Sequence, residues 1–406
     1  MIGVDAASFL VIVAVAALAG LIVTVLGPRV AIPVVVVELV LGILIGPQVA
    51  GIAKLDPATE FFGNLGLGML FFFAGYEINF DRIKGRPLKL AGGGWLISLV
   101  LAYAFAGLLA ATGVVVSGLY TGSAMATTAI GTLIPILRDA GELRTRFGTH
   151  LLAAGAAAEF GPILLVTLVL STGHPLHEAL ILAFFVALAV VTGIFAVRTA
   201  WRGWALVERT FESSSQLGVR LTVVLVFALV ALASELGLDL LLGGFVAGMI
   251  TRLALRGREL NIFESKLTAV GYGFLIPFFF VTSGMAFNVD ELFTDPVALL
   301  KLPLFVVLFL VVRGVPALLL YRRVFGLRDR VALGVFSATE LPLVVAITTL
   351  AQESGEMHPS TAAALVGAAI ISTLVFPLLG LRLRRDRPKE PDQSEEPGPA
   401  PRPATA

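Results

Sequence analysis

The sequence predicts an all-α polytopic membrane protein, built as two inverted-topology repeats with discontinuous crossing helices. Three observations predict it. Apolar runs of about twenty residues recur from Ala7 to Leu381. The loops between them carry Lys and Arg on alternate sides of the membrane only. Motifs of the first half return, in the same order, in the second. Composition agrees: 57% of the residues are hydrophobic, 14% are charged and the mean hydropathy is +0.95, whereas a soluble domain carries about 25% charged residues. A net charge of +1 spread over loops offers no basic face for nucleic acid, and zero cysteines exclude disulfides and thiolate metal sites. No cofactor is expected. The partners are the lipid bilayer and small ions.

Taken in order, the apolar windows give about thirteen spans: 7–26, 31–50, 59–79, 88–110, 116–137, 148–170, 177–197, 217–236, 238–251, 268–287, 301–321, 331–351 and 360–381. Residues 1–8 carry no basic n-region and lead into a run too long for a cleaved signal, so 7–26 is read as the first span. The ninth span is short and interrupted by glycine. Loops on one side carry Arg29; Arg82, Lys84, Arg86 and Lys89; Arg138, Arg144 and Arg146; Arg198, Arg202 and Arg209; Arg252, Arg256, Arg258 and Lys266; Arg322, Arg323, Arg328 and Arg330. The opposite loops carry Lys54, and Lys301 at a helix start. The positive side is cytoplasmic, which puts the N-terminus outside and the C-terminus inside a cell membrane. Residues 1–381 then form the membrane domain, and 382–406, rich in charge and proline, form a disordered cytoplasmic tail.

The halves echo each other. Leu39-Val-Leu-Gly-Ile-Leu-Ile-Gly46 pairs with Leu240-Leu-Leu-Gly-Gly-Phe-Val-Ala-Gly248, each with a GxxxG spacing. Phe71-Phe-Phe-Ala-Gly-Tyr-Glu-Ile-Asn-Phe-Asp81 pairs with Phe278-Phe-Phe-Val-Thr-Ser-Gly-Met-Ala-Phe-Asn-Val-Asp290, and Ser123-Ala-Met-Ala-Thr-Thr128 with Ser337-Ala-Thr-Glu340. Repeats of about 7–170 and 217–381, with 177–197 as a linking helix, enter the membrane from opposite sides. That is a common architecture of secondary transporters, with the substrate site near the midplane.

Glu159 lies mid-depth in 151–170, a stretch without another charge. A carboxylate there costs at least about 2.5–3.5 kcal/mol on insertion scales, so it is kept where it meets a partner, a water-filled cavity or a moving ion. Arg313 and Glu340 are the other deep charges. Thr127 and Thr128 sit in a helix weakened by Gly131 and Pro135, and Glu340 precedes Pro342. Freed backbone groups of broken helices are tolerated at this depth only in a polar cavity or buried in protein, and half-helix ends can coordinate a cation. Two carboxylates face one guanidinium that does not deprotonate. The reading is that Glu340 pairs with Arg313 to pin two helices, leaving Glu159 to exchange its proton for a monovalent cation. Glu38 is either a packing residue or part of an entry funnel. Glu77 lies close enough to the interface to be solvated.

At these residues the chain resembles the cation:proton antiporter superfamily, in the branch of Kef-type and bacterial sodium/proton exchangers. The similarity runs over nearly all of 7–381. It is carried by Glu38-Leu-Val-Leu-Gly-Ile-Leu-Ile-Gly-Pro47, by Leu70-Phe-Phe-Phe-Ala-Gly-Tyr-Glu-Ile78, by Thr127-Thr128 where the family unwinds a helix, and by 148–165, which resembles its acidic-pair helix. The second acid of that pair binds the ion in relatives; here the pair is Ala158-Glu159. Arg313 falls where relatives carry a Lys or Arg. The resemblance implies a homodimer, an elevator-like motion of a core against a panel, and exchange of a cation, sodium first, for protons. It also implies that Ala158 and Arg313 have removed the parts that supply a second proton, so exchange is expected to be electroneutral. The alternatives are a potassium efflux/proton antiporter, a sodium-coupled organic anion symporter and a transport-inactive membrane sensor.

Overall fold

In a computed structural model of the full chain, the described residues are 5–26, 33–77, 83–165, 175–208, 210, 213–236, 238, 240–255, 261–294 and 296–385. They are helical throughout. The first half comprises α1 (Ala6–Leu26), α2 (Val34–Ile45), α3 (Pro57–Glu77), α4 (Arg86–Ala111), α5 (Gly118–Met125), α6 (Ile130–Asp139) and α7 (Arg146–Leu165). Then follow α8 (Pro175–Glu208), α9 (Leu217–Glu235), α10 (Leu240–Ala254), α11 (Asn261–Val270) and α12 (Ile276–Ala286). The chain ends in α13 (Val289–Thr294), α14 (Pro296–Leu320), α15 (Leu327–Ser337), α16 (Pro342–Glu353) and α17 (Pro359–Arg384). Among the described residues, seven helices are long and apolar enough to cross a membrane, or eight when the bent pair α15–α16 is taken as one span. The shorter apolar stretches Val34–Ile45, Ala183–Phe195 and Leu241–Ala254 fall on three more of the expected windows.

The two windows read as weakened, by Gly131 and Pro135 in one and by Pro342 in the other, are each broken into two helices. Residues 126–129 separate α5 from α6, and 338–341 separate α15 from α16, with a bend of 40° at the second break. Pro342, at the start of α16, has no N–H to give and disfavours helix in the residue before it. Gly271–Leu275 is a π-turn between α11 and α12, an extra residue absorbed where Gly271 meets the Phe73 ring.

The helices pack as two bundles. In one, α2 lies on α12, α3 on α10 and α12, and α10 on α8 and α9. In the other, α4 packs on α5, α7 and α14, while α17 packs on α14, α15 and α16. Contacts of α3 with α6, and of α2 with α17, join them. Glycines set the first bundle's close approach. A β-carbon on Gly42 would overlap the Val281 carbonyl, and one on Gly46 would lie 2.9 Å from the Met285 Cα. Likewise Gly248 faces the backbone of Phe72 and Tyr76, and Gly75 the Phe245 carbonyl. Without side chains between them these helix pairs touch backbone to backbone, which maximises dispersion contact where lipid offers no hydrophobic drive.

Three expectations need correction. Arg198 and Arg202, expected in a loop, lie within α8, which runs 34 residues to Glu208 because nothing in 195–208 breaks helix. Lys301, expected at a helix start on a charge-poor face, is in the second turn of α14; it is buried, and its Nζ donates to Thr361 Oγ1 at 2.9 Å. Residues 382–384, expected in the tail, belong to α17, and 386–406 lie outside the described residues. So do Arg29, Arg82, Arg209, Arg256 and Arg258 of the charge alternation.

Candidate functional site

The two breaks meet. The Ala129 N–H donates to the Thr339 carbonyl at 2.8 Å, and the Thr128 hydroxyl donates to the Ser337 carbonyl at 2.5 Å. Residues 126–129 and 338–341 therefore cross, and four half-helix ends converge there. The carbonyls at the ends of α5 and α15 carry partial negative charge, and the first N–H groups of α6 and α16 partial positive charge.

Arg313 takes the negative side. Its Nε donates to Thr128 Oγ1 at 3.0 Å and to the Ser337 carbonyl at 3.3 Å, its Nη1 to Ser98 Oγ at 2.8 Å, and its Nη2 to the Ala154 carbonyl at 3.5 Å. Ser98, on α4, passes its own proton to the Val312 carbonyl at 2.9 Å. The guanidinium is 4% exposed, so these neutral acceptors replace its hydration. The expected ion pair with Glu340 is not formed. Among the described residues Arg313 has no carboxylate oxygen within 4.0 Å; its donors go to the two hydroxyls and the Ser337 and Ala154 carbonyls, and Glu340 acts on it only at longer Coulomb range.

The carboxylates face the positive side. Glu159, on α7 and 2% exposed, lies where the backbone N–H of Gly131 in the first turn of α6 points at it, and its Oε2 has no hydrogen-bond partner. Gly155, one turn earlier, lets α7 pass the Ile130 side chain at that helix end, and Gly161 lets the Trp95 ring lie against α7. Glu340 is fully buried in the second break. Its backbone N–H donates to Ser372 Oγ at 3.0 Å, and its carbonyl accepts from Ser372 Oγ at 3.2 Å and Thr373 Oγ1 at 3.1 Å, yet both carboxyl oxygens are without hydrogen bonds. Thr127 neighbours this carboxyl while donating its hydroxyl to the Ala124 carbonyl at 3.0 Å. The hydroxyls of Thr132 and Thr339 are buried without partners.

The structure thus brings Thr127, Thr128, Arg313 and Glu340 to the crossing, with Glu159 at one of its helix ends. Glu38 stays apart from that set: it is buried in α2, whose main neighbour is α12. Glu77 is 21% exposed and pairs with Arg138 at the end of α6. Sequence reading missed Ser98, Ser372 and Thr373, which hold the guanidinium and the second break; their one signal is a small hydroxyl inside an otherwise apolar span. No group of three or more His, Asp or Glu able to hold a metal occurs among the described residues. Chemically, the crossing offers buried carboxyl oxygens and hydroxyls beside helix ends, a ligand set suited to a small hard cation or a proton.

A family model described as "Sodium/hydrogen exchanger, transmembrane" matches residues 12–381. The chain belongs to the sodium/hydrogen exchanger family. It is 26% identical over 384 residues to the putative Na(+)/H(+) antiporter YjbQ of Bacillus subtilis, which covers 89% of this chain and 61% of that protein. This chain therefore spans less than two thirds of that relative's length. It is also 26% identical to the Na(+)/H(+)-K(+) antiporter GerN of Bacillus cereus, over 85% of this chain and 88% of the relative. The fold matches that of the sodium proton antiporter MjNhaP1 of Methanocaldococcus jannaschii at a TM-score of 0.61, covering 93% and 95% of the two chains at 17% identity. As a member of this family the protein is a carrier rather than an enzyme.

Proposed function

We propose that this exchanger moves sodium against protons across the membrane by alternating access, with Glu159 carrying the proton and the cation in turn. The observation that bears this reading is the Glu159 carboxyl: buried in a transmembrane helix, aimed at the first turn of a half-helix, with one oxygen unpartnered beside the crossing. A structural carboxyl at this depth is expected to have both oxygens engaged. In this reading Thr127, which neighbours the Glu340 carboxyl, adds a neutral oxygen, whereas Thr128 serves mainly to tie Arg313 to the second break.

The packing supports the inverted repeat over about 7–170 and 217–381. Exchanging α1, α2 and α3 for α9, α10 and α12 converts the α2–α12 contact into α10–α3, α1–α2 into α9–α10, and α1–α12 into α9–α3, and every one of these pairs is in contact. Exchanging α4, α5 and α7 for α14, α15 and α17 does the same for α4–α5 and α4–α7. The bundle containing the crossing is the mobile core of this reading, and the glycine-seated bundle is the panel through which two copies dimerise. Its topology has the N-terminus outside and the C-terminus in the cytoplasm.

Dye-reported proton flux in proteoliposomes, screened over sodium, lithium and potassium, tests the reading. Wild type should acidify or alkalinise the lumen when sodium is added, and Glu159→Ala should abolish the response while folding normally. Sodium-driven flux that survives in Glu159→Ala defeats it. Potassium is the second reading, favoured by the name of the GerN relative, and the same screen separates the two.

A further inference from the structure

We propose that the Glu77–Arg138 ion pair is a cytoplasmic latch of this exchanger. It fastens the half-helix α6 of the core to α3 of the panel, and it must part before the site opens inward. The proposal rests on the exchange reading above and concerns how its cycle is gated.

The interface between the bundles is asymmetric. Helix α3 packs along α6, whereas among the described residues their counterparts in the second repeat, α12 and α16, make no comparable contact. In the topology proposed above, α6 is the cytoplasmic half of its broken span and α16 the outer half of the other. The structure is therefore closed on the cytoplasmic side of the crossing and looser on the outer side. An inverted repeat reaches its opposite state by exchanging these two arrangements, so α3 and α6 separate when the site turns inward.

Helices α3 and α6 meet in register. A β-carbon built on Gly131, in the first turn of α6, would lie 3.2 Å from Leu70 Cδ1 and Cγ of α3. Seven residues on in each helix, which is about two turns, Arg138 Nη2 donates to Glu77 Oε1. The two contacts bracket α6, from the Gly131 N–H that points at Glu159 to the last turn that carries Arg138. Glu77 is 21% and Arg138 41% exposed, so water weakens the pair enough for it to break in each cycle. Both charges also reach the Tyr272 phenol in the π-turn of the panel, whose buried hydroxyl has no partner. That hydroxyl gives Glu77 a donor within the panel once Arg138 leaves.

The second repeat does not repeat the latch. Aligning Gly75-Tyr-Glu77 with Gly284-Met-Ala286, and Thr127 with Thr339, puts Ala286 and Leu350 at the positions of Glu77 and Arg138. Two apolar residues replace the charges, so the ion pair favours the cytoplasm-closed state over its mirror image. An exposed pair of this kind shifts such an equilibrium about two- to fivefold.

The test uses the full chain, whose lack of cysteine makes a single introduced thiol an unambiguous reporter. Ala74, on the α3 face of Leu70 and Glu77, is 1% exposed. In inside-out vesicles, labelling of Ala74→Cys by a membrane-impermeant maleimide should quicken about two- to fivefold when Glu77→Gln or Arg138→Gln is added. The charge-swapped pair, Glu77→Arg with Arg138→Glu, should return it to the starting rate. Labelling unchanged in both single variants, or not slowed again by the swap, overturns the proposal. If the swapped chain does not fold, a second measurement decides: Glu77→Cys with Arg138→Cys, bridged by a short reversible bis-methanethiosulfonate. Sodium-driven proton flux should stop while the bridge is in place and return on reduction, and flux that continues through the bridge overturns the latch. Failure of the exchange reading looks different: wild type gives no proton flux with any monovalent cation, while the labelling contrast stands.

Discussion

Removing the Ser98 hydroxyl should weaken the protein at two places, the Arg313 guanidinium and the Val312 carbonyl. Ser98→Ala deletes the acceptor of the Nη1 bond at 2.8 Å and one donor to the Val312 carbonyl. The second loss also counts, because Pro316, four residues on in α14, has no N–H to give, and the Ser98 hydroxyl supplies the Val312 carbonyl with a donor in its place. The first leaves a donor of a buried, permanently charged guanidinium short of an acceptor. Hydrogen bonds to charged groups contribute about 1.5–3 kcal/mol in soluble proteins, whereas coupling between polar side chains inside membranes reaches only about 1.7 kcal/mol. The overlap puts the Ser98–Arg313 coupling at about 1.5 kcal/mol. A double-mutant cycle isolates it: equilibrium unfolding of wild type, Ser98→Ala, Arg313→Met and the double variant in mixed micelles. Ser98→Ala should cost about 1.5 kcal/mol more in wild type than when Arg313 is Met, and the cost that remains in the second background, about 1 kcal/mol, belongs to the Val312 carbonyl. Equal costs in both backgrounds would show that the serine acts through packing, and the account of how this cation is held would be wrong.

Two more outcomes follow from other parts of the molecule. Gly248→Ala sets a methyl group against backbone atoms, 2.6 Å from the Tyr76 N and 3.0 Å from the Gly75 carbonyl carbon, which cannot rotate away. It should destabilise by about 1–3 kcal/mol or more, whereas Gly107→Ala, with nothing within 4 Å, should be neutral or stabilise by up to about 1 kcal/mol; thermal melting of the purified pair checks the contrast. Near the N-terminus, the Asp56 carboxylate accepts from the backbone N–H groups of Asp5 and Thr59, each at 2.7 Å, which hold it below the usual aspartate range; Asp5 is lowered in turn, chiefly by the Ser8 hydroxyl. A depressed carboxylate stabilises above its unfolded value, about 3.9, and that contribution is lost as pH falls through the lower folded value. The protection factors of the Asp5 and Thr59 amides, measured against their intrinsic exchange, should therefore hold at neutral pH and fall in acid below that point, and Asp56→Asn should remove that fall.

The breaks, the glycine seats and Glu159 were legible in the sequence because each leaves a residue-type signature. Pro342 cannot sit inside a helix, Gly42, Gly46, Gly244 and Gly248 mark close approach, and a lone Glu in an apolar run is conspicuous. The partners of Arg313 were not legible. Counting charges suggested a carboxylate, but two of its four acceptors are backbone carbonyls, which carry no sequence signal, and the other two are ordinary hydroxyls. Lys301 misled for a related reason: an ammonium near a helix end reads as solvated, and only the fold shows Thr361 receiving it. The length of α8 escaped because helix continuing past the apolar run leaves the hydropathy window without changing the backbone.

The two bundles are held together by different chemistry. The α2–α12 and α3–α10 seats are backbone against backbone, short-ranged and without adjustable groups, so any sliding between those helices forfeits dispersion contact at once. Around the crossing the ties are hydrogen bonds from the hydroxyls of Thr128, Ser98, Ser372 and Thr373 to carbonyls, and from Arg313 to the hydroxyls of Thr128 and Ser98; Glu159 keeps one carboxyl oxygen unpartnered. A transporter that used a carboxylate to neutralise its own arginine would have one fewer group for ions. Here the cationic side chain is held by two hydroxyls and by the carbonyls of Ser337, at a half-helix end, and Ala154, inside α7, so no carboxylate is spent on direct hydrogen bonds to it.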